Sequence, residues 1–251
     1  MGQGFVGKLA FPSANVSNRL EKTFTSVNFN MMIMIIYALI TIAIFGMWYY
    51  ARYEGNFLPS PKKTFNPMMI VAIVILVPGT QFAANFIANL TGYIRPDWLQ
   101  QYNELFETSG ITDTTFVTVL YSVILAPICE ELIFRGVTMR CARKALPFAL
   151  ANLMQAALFG LFHLNWIQGI YAFALGIVLG YVCERGGSIY YSMGLHLLFN
   201  LWGTLSGFFP DPGNSVVVFV VVIVVTIVSL VAGFVLFNKG RRKLPINSTG
   251  I

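Results

Sequence analysis

Val119-Leu120-Tyr121-Ser122-Val123-Ile124-Leu125-Ala126-Pro127-Ile128-Cys129 is apolar enough to sit in a bilayer, yet it runs directly into Glu130-Glu131 and then Arg135. A charge at bilayer depth costs roughly 2.5–3.5 kcal/mol on insertion scales. Two adjacent acids and an arginine in one span therefore need a compensating role, and chemistry is the strongest one available.

The surrounding chain supports a membrane reading. Of 251 residues, 57% are hydrophobic and only 10% are charged, whereas a soluble domain carries about 25% charged residues. The composition predicts an all-α, polytopic transmembrane helix bundle with no second, soluble domain. The net charge of +6 comes from short loops and the tail, as the positive-inside rule requires, and does not point to nucleic acid. Cys129, Cys141 and Cys183 are odd in number and lack C-x-x-C spacing, so a disulfide or zinc-cluster reading has little support. Residues 1–30 lack the pattern of a signal peptide, because the apolar run starts only at Met31 and no A-x-A site follows; the first span is expected to be retained.

Apolar runs of near 20 residues predict about seven spans, at 31–50, 68–90, 116–135, 148–163, 167–183, 188–206 and 215–237. No fixed-period repeat is evident. The chain divides into N-terminal spans with an exterior loop (1–115), a catalytic core of four helices (116–206) and a C-terminal span with a basic tail (207–251), all in one membrane domain. The first and last spans lack ionisable residues and read as packing helices, with the valine-rich stretch 215–231 suited to lipid contact. Arg52, Lys62, Lys63, Arg140, Arg143, Lys144, Arg185, Lys239, Arg241, Arg242 and Lys243 collect on one side, against Lys8, Arg19, Lys22 and Arg95 on the other. This bias places the C-terminus in the cytoplasm and the N-terminus outside. The three basic residues near the N-terminus pull the other way, and a membrane-surface helix within residues 1–30 would reverse that terminus alone. The segment 91–115, with Asp97, Glu104, Glu107 and Asp113, reads as a solvated connector, with a lid as the alternative.

Three segments place polar groups among apolar neighbours: Glu130-Glu131 to Arg135, Phe159 to His163, and His196 to Asn200. They contain both histidines of the chain. Glu131 and Arg135 are i and i+4, so they share a helix face and can pair, which makes buried charge tolerable. Glu130 lies about 100° around the helix, away from that arginine. His196 and Asn200 are also i and i+4, and Phe159 sits one turn before His163. Glu130 and His163 are each sixteen or seventeen residues from the Leu146-Pro147 turn, which predicts similar depth on antiparallel neighbours. Gly176, Gly180 and Gly194 would allow close helix approach in the same region. A carboxylate and a histidine can hold and deprotonate a water, and a second histidine with an asparagine amide can meet a developing oxyanion. Together these are the parts for hydrolysing an amide in the membrane.

On these motifs the chain resembles the CAAX protease and bacteriocin-processing family, also called the Abi family of intramembrane proteases. The family pattern of E-E-x-x-x-R, F-x-x-x-H and H-x-x-x-N is present as Glu130-Glu131…Arg135, Phe159…His163 and His196…Asn200, in order and without mismatch. The resemblance covers about residues 116–206. It implies an endopeptidase in which Glu130 and His163 activate water, His196 and Asn200 form the oxyanion site, and Glu131 and Arg135 organise the site. The implied substrate is a membrane-associated peptide or protein tail, and the active-site cavity is expected to open toward the cytoplasm. Eukaryotic members trim prenylated CAAX proteins, and bacterial relatives are linked to peptide maturation, peptide signalling and bacteriocin self-immunity. No cofactor is expected. His163, His196 and Glu130 could supply a two-histidine, one-carboxylate set for zinc, but Asn200 and the paired Glu131–Arg135 favour the metal-free route.

Rival readings have less behind them. No H-E-x-x-H or G-x-G-D is present, and Ser192 with His196 lacks the glycine-rich context of a rhomboid-type serine site. A non-catalytic immunity or scaffold protein would keep the same motifs and bind a peptide or membrane partner. A small transporter would be expected to show inverted repeats, which the sequence lacks. Cys129 reads as a small buried hydrophobe rather than a nucleophile. Gln81, Asn85 and Asn89, like Asn152, Gln155 and Asn165, read either as interhelical hydrogen-bonding residues or as the lining of a water path. Trp48, Tyr49, Tyr50, Trp166, Tyr190 and Tyr191 read as an interfacial aromatic belt.

Overall fold

Residues 27–54, 66–109, 115–206 and 215–241 are described by the computed structural model, and they form helices with short connections. In chain order these are α1 (Val27–Tyr49, followed by a π-turn Tyr50–Glu54), α2 (Pro67–Ile94), α3 (Pro96–Ser109), α4 (Phe116–Ala142), α5 (Phe148–Phe162), α6 (Trp166–Gly186), α7 (Ile189–Ser206) and α8 (Val216–Arg241). Lys8, Arg19, Lys22, Lys62, Lys63, Asp113, Arg242 and Lys243, together with any surface helix before residue 27, lie outside the described residues.

Five helices, α1, α2, α4, α6 and α8, are long and apolar enough to cross a membrane, against the seven spans that hydropathy predicts. The two that fall short carry the histidine motifs. α5 has 15 residues and so spans about 22 Å, less than the ~30 Å of hydrocarbon. α7 has 18 residues, but Ser192, His196, Asn200, Thr204 and Ser206 dilute its apolar character.

Helix direction is fixed by bonds at one end of the bundle. There Arg140 Nη2 donates to Tyr49 Oη (3.0 Å), Arg143 pairs with Glu184 (3.1 Å), Tyr181 donates to Asn238 (2.9 Å) and Asn66 Nδ2 donates to the Gly240 carbonyl (3.0 Å). The described basic residues of the larger set thus gather at a single end. Tyr49 and Tyr191 depart from the interfacial reading, since both are buried in this end. Tyr49 lies under the Arg140 guanidinium, and the Tyr191 hydroxyl accepts from the Asn66 amide.

At the opposite end, the segment expected to be a solvated connector contains the amphipathic α3. Its Trp98 stacks on Trp166 at the start of α6 (ring centroids 5.3 Å), and its Tyr102 meets Tyr171. Arg95 holds the exposed Asp97 carboxyl below its usual range through a hydrogen bond. Periodicity of apolar residues across 98–105 makes this helix, because it half-buries Trp98 and Tyr102 against α6 and leaves the acids in water.

The α2–α8 pair shows how small residues build this bundle. Pro78 interrupts the ladder of α2 by lacking an N–H. Ser229 of α8 repairs the break: its hydroxyl accepts from the Gly79 amide (2.9 Å) and donates to the Ile75 carbonyl. This is the kind of neighbour-helix compensation that lets proline persist in a membrane helix. A Cβ on Gly79 would lie 2.8 Å from Ser229 Oγ, and one on Gly233 would lie 2.6 Å from Leu76. The valines of α8 face outward, as expected, and its buried positions are Ser229, Gly233, Phe237 and Gly240.

Candidate active site

α4 is irregular where the site lies. It contains π-helical stretches at Leu120–Leu125 and Leu132–Met139 on either side of a short α-helical segment Ala126–Glu131. The first precedes Pro127, whose ring would press on the carbonyl four residues back in a regular helix, and a widened turn accommodates it. π-bulges of this kind recur at functional sites. The outcome is that Glu130 and Glu131 lie between two widened turns in the middle of α4.

Glu131 and Arg135 are both fully buried and form the expected pair, Arg135 Nη1 donating to Glu131 Oε1 at 2.8 Å. The same oxygen faces His196 Nδ1 at 2.9 Å. A carboxylate only accepts, so Nδ1 carries the hydrogen. The other ring nitrogen of His196, Nε2, lies 3.5 Å from Glu130 Oε2. A hydrogen on Nε2 would be donated to Glu130 across this contact. His196 thus bridges the two acids, and the imidazole expected at the oxyanion has both nitrogens turned toward carboxylates.

Arg135 is held from its other side as well. Its Nη2 donates to the Gly176 carbonyl of α6 (3.2 Å), and its Cζ lies 4.5 Å from the Phe159 ring centroid. The fully buried Gln155 donates to the same carbonyl (2.8 Å) and to Asn152 Oδ1 (2.7 Å). Room for this amide pair comes from Gly180, where a Cβ would meet Asn152 Oδ1 at 1.9 Å. Gly176 is likewise at a close helix approach, whereas Gly194 has nothing within 4 Å of a built Cβ and supports no packing. The amides of Asn152 and Gln155 therefore tie helices together, and Asn165 caps α6 by accepting from the Gln168 amide. On α2, Asn85 and Asn89 are exposed and Gln81 only reaches Asn85 (3.4 Å), so this stripe stays apart from the site.

His163 terminates α5 instead of lying within it, and Leu164 follows with a left-handed φ of 53°. Its Nδ1 is 2.8 Å from the Phe159 carbonyl. A carbonyl cannot donate, so Nδ1 carries the hydrogen and Nε2 presents a lone pair. The Phe159 ring stands edge-on to both histidines, 4.9 Å from His163 and 5.7 Å from His196 by ring centroids. The mirrored depth of Glu130 and His163 does not produce direct contact: the charged group that Glu130 meets is His196, and no ion pair joins it to His163. The reason is that α5 ends at His163, so its ring folds back on its own last turn.

Asn200 shares a face of α7 with His196. One of its amide hydrogens goes to the Ser122 carbonyl of α4 (2.8 Å), leaving the second uncommitted. Glu130 borders a crevice of about 20 Å³, together with Tyr37, Ala38, Tyr121, Cys129, Ile133 and Phe162. That is room for about one water. Cys129 donates its thiol to the Ala38 carbonyl (3.2 Å), consistent with a small buried group. The two-histidine, one-carboxylate set does not fit a metal as folded. His196 has both ring nitrogens turned to carboxylates, Glu130 makes no ion pair with His163, and among the described residues no three His, Cys, Asp or Glu side chains form a set that could hold an ion.

Gly176 and Gln155 form a support for Arg135 that motif spacing alone leaves out. The only signal in the sequence was a buried-position glutamine with helical spacing to Asn152 and Phe159. The Ser122 carbonyl, being backbone, carries no signal at all.

The helices and this buried ionisable centre define a multi-pass membrane protein of the polar-core kind. Residues 112–202 match the family model described as Rce1-like, type II CAAX prenyl endopeptidase. The matched segment contains all three motifs and agrees with the resemblance they carry. This part of the chain is thus similar to CAAX prenyl endopeptidases. No curated protein and no solved structure matches the chain.

Proposed function

We propose that this protein is an intramembrane endopeptidase that hydrolyses a peptide bond in a membrane-associated peptide or protein tail. The observation that carries the reading is the Glu131–His196–Glu130 cluster, in which one acid is neutralised by Arg135 and the other borders a space for one water. Glu130 accepts a proton from that water as its oxygen bonds to the scissile carbonyl carbon. The lone pair on His163 Nε2 assists from the end of α5. As Glu130 takes up that proton it releases the Nε2–H of His196, so the oxyanion that forms meets that N–H and the second amide hydrogen of Asn200. Collapse of the adduct breaks the C–N bond, and the proton held by Glu130 passes to the leaving amine. Glu131, Arg135, Gln155 and the Gly176 carbonyl hold His196 in register.

A peptide does not fit the crevice as folded, so binding has to displace Tyr37 and Ala38 of α1 or Phe162 of α5 from Glu130. The basic end of the bundle is proposed to face the cytoplasm with the C-terminus. His163 lies at the other end of α5, so the cavity expected to open toward the cytoplasm is here proposed as a mid-membrane site reached from the side.

The test is cleavage of candidate membrane peptides by reconstituted wild type, Glu130→Ala and His163→Ala. Loss of cleavage in both variants supports the roles, and equal cleavage by all three contradicts them. Activity abolished by a chelator and restored by zinc would replace the hydrogen-bonding mechanism with a metal one.

A further inference from the structure

Outside the candidate active site, an apolar groove of about 540 Å³ lies where α5, α6 and α8 meet. Phe148, Leu153, Ile177, Val178, Tyr181 and Phe234 form most of its wall. Helix–helix contacts in membranes are made by small residues, and this wall is bulky, so it suits a flexible chain better than another helix.

Phe148 and Tyr181 carry the groove to the basic end, where two cross-helix bonds tie α4 to α6 and α6 to α8. Arg143 pairs with Glu184 (3.1 Å), which neutralises both and leaves their sequence neighbours Lys144 and Arg185 as the cations of this corner. Tyr181, which lines the groove, donates to Asn238 (2.9 Å), the residue before Lys239, and the Arg185 Cζ stands 5.7 Å from the Tyr181 ring centroid. Among the described residues Lys144, Arg185 and Lys239 have no carboxylate partner. An apolar slot ending in three unneutralised cations is complementary to a molecule with a long apolar chain and an anionic head.

We infer that this groove binds one anionic phospholipid, an acyl chain lying against Ile177, Val178 and Phe234 and the phosphate resting among Lys144, Arg185 and Lys239. Basic pockets between membrane helices recognise anionic headgroups in this way, and each cation near the surface contributes about a factor of five in affinity.

The experiment uses the full-length protein in mixed micelles of phosphatidylglycerol and phosphatidylcholine, with retained lipid counted by native mass spectrometry. The expected result is one phosphatidylglycerol per chain, retained in preference to phosphatidylcholine. Lys144→Gln, Arg185→Gln and Lys239→Gln combined should weaken retention about a hundredfold. Val178→Trp should abolish retention with the cations in place, while circular dichroism shows the helices intact. Equal retention of the two lipids would overturn the proposal. So would unchanged retention in the triple variant or in Val178→Trp, or a second copy cross-linked through Leu153→Cys.

Discussion

α4 and α8 are both long apolar helices, and they are held in the bundle by opposite means. α8 packs on α2 through Ser229, Gly233 and Gly240, each of which lets a backbone or side chain of α2 approach closely. Apart from the buried Phe237, its other positions are partly or fully exposed and are largely valine. α4 buries Glu131 and Arg135 completely and needs side-chain and backbone partners on α6 and α7 to do so. Burial by shape tolerates many sequences, whereas burial of charge demands named partners. The difference locates specificity in α4 and plain packing in α8.

The largest stability effect should come from splitting the α4 pair. Arg135→Met leaves Glu131 charged and buried, so a loss of about 3–5 kcal/mol is expected, read as a fall in thermal midpoint in detergent. Adding Glu131→Gln should restore most of that stability and not the peptidase activity; a double variant as unstable as the single would break the comparison. In α8, Gly233→Leu drives a side chain into Leu76 and should cost about 1–3 kcal/mol by the same measurement, with activity falling only as folded protein is lost. Ser229→Ala leaves the Gly79 amide without its acceptor, a loss of about 1–2 kcal/mol; no change would mean that the ladder around Pro78 closes unaided. Val220→Ile, on the outward face, should stay within about 0.5 kcal/mol of wild type. A larger effect there would show that α8 has an unseen partner.

The helical class, the three polar motifs and the pairing of Glu131 with Arg135 were legible because 3.6-residue spacing translates directly into shared faces. Depth along the bundle was legible too, since both His163 and Glu130 count back to one turn. What spacing does not carry is rotation and fraying. α5 stops at His163, which turns that ring onto its own carbonyl, and π-turns rotate Glu130 toward α7, so that it meets His196. Local composition also concealed α3, because acids on its wet face made segment 91–115 look like a loop. Tyr49 and Tyr191 were misread for a related reason: a tyrosine near a span end can point outward to the interface or inward to a buried partner, and only packing decides.

The central claim is that Glu130 is the acid that activates water while Glu131 holds the site together. It is tested most directly by single-turnover cleavage of a membrane peptide by wild type and Glu130→Gln, each reconstituted in liposomes and matched for thermal midpoint. The account predicts a rate lower by about 10²-fold or more in the variant, with its stability close to that of wild type. Cleavage at the wild-type rate by a stable Glu130→Gln protein would contradict it.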